Sequence, residues 1–282
     1  MEILVKPVKD IDLYQKADGF VLPIKDYSVD YRNYYTLDEI KSIVNRTNKK
    51  IFVVMNKMME NSDIENIKNI LIELDKINIY GIFFYDLSII QLKKELNLNV
   101  NLVWNNTHMV TNYSACNYYY EEGCKYSYLS NEITLDDILL MNKNSKSSLI
   151  FMLLGYPVAS FSKRKLVSNS NFKDSIIISE DVSKQKYIVF EDKNGTTFKY
   201  NKIRNNSICL KELLNNNLPF VYLIEDDIDH DKFIDGLNLT SNFINNTIDN
   251  NKYVSSMKEL FGSDTGFLYR KTIYKVTKKW KE

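Results

Sequence analysis

The chain has 282 residues, 44% hydrophobic and 13% aromatic, which is enough for a sizeable core and excludes global disorder. Its 37 basic and 36 acidic residues leave a net charge of +1, so the overall basic field of a typical nucleic-acid binder is missing and only a local patch is open to it. Glycine is scarce, at eight residues, and neither GxGxxG nor GxxxxGKS/T can be written from them, which excludes the Rossmann and P-loop phosphate cradles.

In chain order, short and nearly continuous apolar runs fall at 2–6 (EILVK), 19–24 (GFVLPI), 51–56 (IFVVMN) and 81–86 (GIFFYD). Further runs follow at 101–105 (NLVWN), 125–130 (KYSYLS), 148–154 (SLIFMLL) and 219–224 (PFVYLI). Such runs read as strands buried on both faces of a parallel sheet. Amphipathic segments separate them. Thr36 with Glu39 three residues on predicts a capping box. Ile64, Ile67, Ile70, Leu71 and Leu74 keep helical spacing, and Thr134 precedes two aspartates at another helix start. Gly19, Gly81 and Gly123 stand between helix-like segments and apolar runs, where a left-handed glycine commonly ends a helix. Eight strands alternating with helices predict an α/β fold, a TIM-like (β/α)8 barrel.

The alternation fails between about 165 and 218. SIIISED, QKYIVFED and TTFKYN read as strands, with Asn194-Gly195 as a hairpin signal between the last two. The expected organisation is therefore residues 1–164 as the first seven β/α units and residues 165–218 as a small antiparallel insertion between strands 7 and 8. Residues 219–282 then supply the last barrel strand, a helix at Val254 to Phe261 and FLYRKTIYKV as a closing extended segment.

Cys116, Cys124 and Cys209 are too few for a disulfide framework and lack CxxC spacing, which suits a reducing compartment. The opening MEILVKPVKDID has no signal-peptide pattern, and the apolar stretch at Leu149 to Phe161 is broken by Gly155 and Pro157. A cytoplasmic protein with no membrane association is expected.

Several strings, in order, carry a resemblance: MNK (Met55 to Lys57), YDL (Tyr85 to Leu87), WNNTHMVTN (Trp104 to Asn112) and LSNEITLDDI (Leu129 to Ile138). They continue with LGYPVASFSKRKLVS (Leu154 to Ser168), EDKNGTTF (Glu191 to Phe198) and TGFLYRKTIYKV. Together they resemble a short member of the peptidase U32, or collagenase-like peptidase, family. The resemblance implies a (β/α)8-like barrel. It also implies one of three roles: a peptidase of unassigned mechanism, a component of oxygen-independent hydroxylation of tRNA wobble uridine, or a non-catalytic barrel bound to a paralogue. Many hydroxylation members carry a cysteine-ligated iron–sulfur cluster, but the loop after strand 7 has no cysteine here, and a four-cysteine cluster needs four thiolates. No such cofactor is expected within this chain. A hydroxylation role would need a cysteine-bearing U32 partner, with tRNA as substrate, and a peptidase would take a peptide. The residues show no HExxH, nucleophile elbow or aspartate dyad, so hydroxylation is the leading expectation.

Barrel chemistry sits at the C-terminal strand ends. These ends carry Asn56, Lys57, Asp86, Asn105, Asn106, Ser130 to Glu132, Gly155 and Glu225 to Asp227. Glu132, Asp86 and Lys57 are the candidate catalytic residues. Glu132 suits a general base or a metal ligand, and equally a helix N-terminal acid; Asp86 equally suits a cap of the helix after it. Asn56, Asn106, His108, Asn112, Ser162 and Arg164 are candidate substrate contacts, the last two in a basic loop suited to phosphate. Asp86, His108 and Glu132 could form a two-carboxylate, one-histidine set, but His108 and His230 are the only histidines and no metal site is assigned.

Overall fold

The computed structural model describes residues 1–172, 175–181 and 184–270. Eight parallel strands close a barrel: β1 (Glu2–Lys6), β2 (Gly19–Pro23), β3 (Lys50–Met55), β4 (Gly81–Phe84), β5 (Leu102–Trp104), β6 (Tyr126–Tyr128), β7 (Ser148–Gly155) and β13 (Phe220–Ile224). β13 lies between β7 and β1, and β6 pairs with β7 to complete the ring. The helices are α1 (Leu37–Arg46), α2 (Ile64–Lys76), α3 (Ser88–Glu95), α4 (Tyr113–Glu121) and α5 (Leu135–Asn144), then α6 (Leu210–Asn215), α7 (His230–Ile244) and α8 (Asn250–Phe261). The capping box at Thr36 forms with Glu39, and the N-cap at Thr134 forms too, completed as a capping box by Asp137.

Between β1 and β2 the alternation is broken. A single 3-10 turn, Ile11–Leu13, stands where a helix is expected. The connection spans only twelve residues and opens on Pro7, and buried Tyr14 fills the space against Phe20 and Phe233.

The insertion forms a second, antiparallel sheet of β8 (Val158–Ser162), β9 (Ile176–Ser179), β10 (Lys186–Asp192) and β11 (Gly195–Tyr200), in the order β8-β11-β10-β9. Asp192 pairs with Gly195 across the hairpin, as the Asn194-Gly195 signal predicts. β8 falls in a stretch expected as loop; Val158 to Ser162 pairs with β11, and that long-range pairing decides its state. A short β12 (Arg204–Asn205) runs antiparallel to β7. In the closing element Phe267 to Tyr269 form a turn rather than the expected extended segment, and the residues from 271 onward lie outside those described.

Two of the expected left-handed glycines are not left-handed. Of these three, Gly123 alone has positive φ, at 98°; Gly19 and Gly81 begin strands. Close approach is what requires glycine at position 19: a Cβ there would lie 2.8 Å from the Lys50 carbonyl oxygen.

Strand alternation divides the core. Residues of one face, such as Val5, Leu22, Val53, Ile82 and Leu153, pack outward beneath the helices. Leu4, Val21, Phe52, Val54, Phe83 and Val103 point into the barrel, joined by Tyr126, Ile150, Phe220 and Tyr222. Phe52 is fully buried there, with ring centroids 5.0 Å from Tyr80, 5.6 Å from Phe83, 5.9 Å from Tyr126 and 6.4 Å from Phe220. Phe52→Ala is expected to destabilise the chain by about 3–5 kcal/mol in urea unfolding, because the rigid ring of strands cannot collapse into the void. Leu13→Ala, at a residue 51% exposed, should change stability by less than about 0.5 kcal/mol in the same measurement.

Candidate functional site

The same alternation builds the mouth. Continuing inward positions one step past the apolar layers gives Lys6 above Leu4, Asn56 above Val54, Asn105 above Val103 and Ser130 above Tyr128. The barrel interior therefore changes from apolar to polar at its C-terminal end. Lys6 is fully buried, and its ammonium bonds Asp226 Oδ1 and Asn33 Oδ1. From the insertion, buried Lys199 places Nζ 3.6 Å from Asp226 Oδ2 and 3.3 Å from Asp227 Oδ2. Arg32 Nε donates to Asp227 Oδ1 at 2.7 Å, and its guanidinium lies 3.8 Å over the Phe190 ring. Burial alone would raise the Asp226 carboxyl, but the charges of Lys6 and Lys199 hold it below the usual carboxylate range.

The β2–α1 loop ties the small sheet across this mouth through alternate residues. Asn194 donates to the Ser28 carbonyl at 3.2 Å, Thr197 Oγ1 to Asp30 Oδ1 at 3.2 Å, and Tyr34 to Asp192 Oδ2 at 2.6 Å. On the other side Glu225, with no exposed surface, accepts from the Val8 N–H at 2.8 Å and from the Tyr14 hydroxyl, and lies 2.6 Å from His230 Nδ1.

Between barrel and small sheet lie two adjoining cavities. The outer one, about 260 Å³, is walled by Val29, Met58, Tyr85, Val158 and Phe161, with His108 and Ser160 at its edge. The inner one, about 50 Å³, is bounded by Tyr31, Tyr128, Asn131, Lys199 and Asp226. Asp30, Asn56, Asn105, Thr107 and Val158 line both. Burial pushes the Asp30 carboxyl up to about 7, with Thr197 and Lys199 offsetting part of the effect. Burial likewise raises the Tyr31 and Tyr128 hydroxyls, which stay neutral donors at any physiological pH.

The sequence candidates are dispersed. Asn56 lines both cavities; its Oδ1 accepts from Val29 N–H at 2.9 Å. Glu132 and His108 come together at the rim, Oε2 to Nδ1 3.6 Å, both well exposed. Asp86 accepts from Ser88 N–H at 2.9 Å, as a helix cap would, and from Met59 N–H at 3.0 Å. Lys57 pairs with Asp63 at 3.2 Å. Asn106 turns the β5–α4 loop through its carbonyl, and Asn112 caps α4 by accepting from Ala115 N–H at 2.8 Å. Ser162 ends β8, its hydroxyl accepting from Arg164 N–H at 3.2 Å, and the Arg164 side chain is exposed. Lys6, Asp30, Tyr31 and Lys199 are mouth residues that sequence reasoning missed. Only Lys6 had a local signal: in EILVK it shares the inward parity of Leu4.

The three thiols are buried in α4, before β6 and in the turn before α6, and burial pushes Cys124 and Cys209 up to about 12. Three separate, protonated thiols do not fit a four-thiolate cluster. Among the described residues no three His, Cys, Asp or Glu side chains converge as metal ligands, and no helix is long and apolar enough to cross a membrane.

The fold and mouth define a TIM-like barrel capped by a small antiparallel sheet at its C-terminal face. The model of peptidase family U32 matches residues 12–202, and the chain belongs to that family. Among solved structures it is similar to the U32 peptidase Mk0906, with 11% identity over 79% of this chain and 92% of that one and a TM-score of 0.51. A chitinase from Rhizomucor miehei is 10% identical over 87% of this chain and 100% of that one, with a TM-score of 0.45. A search of curated proteins finds no match.

Asp30 gives a measurable consequence. Between about pH 4 and about 7 the folded chain holds a proton that the unfolded chain has released. Its contribution to stability is therefore full below that window, falls as pH rises through it, and is level above. Asp30→Asn, which keeps an acceptor for Thr197, should remove this fall. The variant is expected to gain about 3 kcal/mol relative to the parent between pH 4 and pH 8 in urea titrations, and parallel profiles would refute the assignment.

Proposed function

We propose that this chain is the substrate-binding component of an oxygen-independent hydroxylation of tRNA wobble uridine and works with a cysteine-bearing U32 partner. The observation that carries the reading is the make-up of the mouth. Aromatic and apolar walls (Tyr85, Phe161, Met58) stand over a floor of carboxamides (Asn56, Asn105), which suits a planar ring bearing hydrogen-bonding edges. Enzymes that modify a base take it out of the stack into such a pocket, and exposed Arg164 and Lys165 beside β8 offer phosphate contacts outside it, while Lys163 is paired with Glu60 at 2.9 Å. A hydroxylation needs an oxidant and an oxygen donor. With its thiols buried, this chain supplies residues that bind and orient the base, and the redox group would belong to the partner. Asp30 and Lys199 hold the small sheet in place over the ring and limit water at its edge.

A second reading, peptide hydrolysis, is favoured by one feature. His108, which pairs with exposed Glu132, lines the outer cavity, as does Ser160. One experiment separates the two. In a deletion strain, mass spectrometry of tRNA should show wobble 5-hydroxyuridine and its derivatives reduced several-fold and restored by the intact gene. Unchanged levels would sink the RNA reading. Peptide hydrolysis by purified protein that disappears in Glu132→Gln would establish the other.

A further inference from the structure

The floor of the mouth is more specific than its walls. Two polar atoms there are buried and, among the described residues, without a hydrogen-bond partner: Asn105 Oδ1, in a residue 5% exposed, and Asp226 Oδ2, in a residue 1% exposed. Both residues line the inner cavity, and Asn105 lines the outer one as well, where the two meet. A buried acceptor left without a donor is costly, on the order of 1–3 kcal/mol, so this floor favours a ligand that brings a donor to it. Asp226 Oδ2 has the Lys199 charge 3.6 Å away; Asn105 Oδ1 has no such compensation.

Asn105 is also held in place. It follows the last residue of β5, and its backbone N–H donates to the Phe84 carbonyl at 3.0 Å. A carboxamide presents an acceptor and a donor side by side. Its full complement is a group with N–H and C=O on the same side, as in a cyclic amide or imide. A trans peptide bond places its N–H and C=O on opposite sides and cannot meet both. At about 50 Å³ the inner cavity takes the edge of a ring and not a whole ring, while the outer cavity of about 260 Å³ has the room and the apolar walls for its body.

We infer that Asn105 is the specificity-determining residue of this mouth and reads the amide edge of a cyclic amide or imide, with ring N–H donating to Oδ1 and the adjacent carbonyl accepting from the side-chain amide. Resting on the RNA reading above, the group read is the N3–H and carbonyl edge of uracil. Tyr85, Phe161 and Met58 flank the ring, and Lys199 stands beside the second carbonyl.

The test uses the full chain and five-nucleotide single-stranded RNAs whose central residue is uridine, 3-methyluridine or abasic, with binding followed by fluorescence anisotropy. Uridine should bind at least about tenfold more tightly than 3-methyluridine, which has lost the N3–H. The abasic strand should bind no better than the methylated one. In Asn105→Ala the preference for uridine over 3-methyluridine should fall by about tenfold, with circular dichroism and urea unfolding verifying the fold. Equal binding of uridine and 3-methyluridine by the unaltered chain would overturn the inference, even if RNA binds and the tRNA phenotype stands. No binding of any strand, together with unchanged tRNA, would overturn the RNA reading and this inference with it.

Discussion

The ion pair between Lys6 and Asp226 constrains everything around it. Each charge loses its water at the top of a closed barrel, at a cost of several kcal/mol, and the pair is tolerable only while its geometry is held. Lys6 comes from the first strand, Asp226 from just beyond the last, and these strands are neighbours in the ring. Lys199 extends the pair from the small sheet, and Arg32 from the β2–α1 loop completes it through Asp227. If the small sheet left, Asp226 and Asp227 would lose one of their cations. The barrel closure and the small sheet are thereby coupled into one cooperative unit, although they are different sheets.

That coupling shapes the mouth. An open barrel end would present a broad depression. Here the sheet's attachments through Ser28, Asp30 and Tyr34 set β8 and β11 beside the strand ends and leave a chamber with apolar walls and a polar floor. The walls come from loops after β3 and β4 and from β8, while the floor comes from inward positions of the barrel strands themselves. The polar floor is therefore built on barrel strand ends and the apolar walls on loops and the small sheet, the usual division in barrel proteins.

Much of this was legible because barrel strands are short, apolar and punctuated. The eight apolar runs correspond to the eight strands to within a residue or two, since burial on both faces leaves little compositional freedom. The capping box at Thr36 and the N-cap at Thr134 were legible because they are local. The missing first helix, β8 and the turn at Phe267 were not: each depends on what the segment meets across the fold. The same split runs through the site. Asn56 and Lys6 follow from strand parity, but Lys199 sits nearly two hundred residues from Lys6, in a hairpin whose alternation reads as an ordinary exposed edge. Glu132 was singled out as a carboxylate on the rim. The predicted barrel order already set His108, after β5, beside Glu132, after β6, and the two do meet. Asp86 and Asn112 show why strand-end polar residues are ambiguous, since each is engaged in capping the helix that follows.

The charge balance of the floor bears on the kind of group that can reach it. Lys6, Lys199 and Arg32 face Asp226, Asp227 and Asp30, three cations against three carboxylates when Asp30 is ionised. With the Asp30 carboxyl raised to about 7, the cluster takes up one proton as pH falls through the physiological range. Every cation in it already has a carboxylate partner, so a phosphate or carboxylate ligand would have to displace an existing pair inside a desolvated cluster, at a cost of several kcal/mol. A neutral polar group has no such competitor there. Anionic parts of a ligand are better placed outside, by Arg164 and Lys165, where both side chains are solvated. The electrostatics thus admit a neutral polar group at the floor and leave charged groups to the rim.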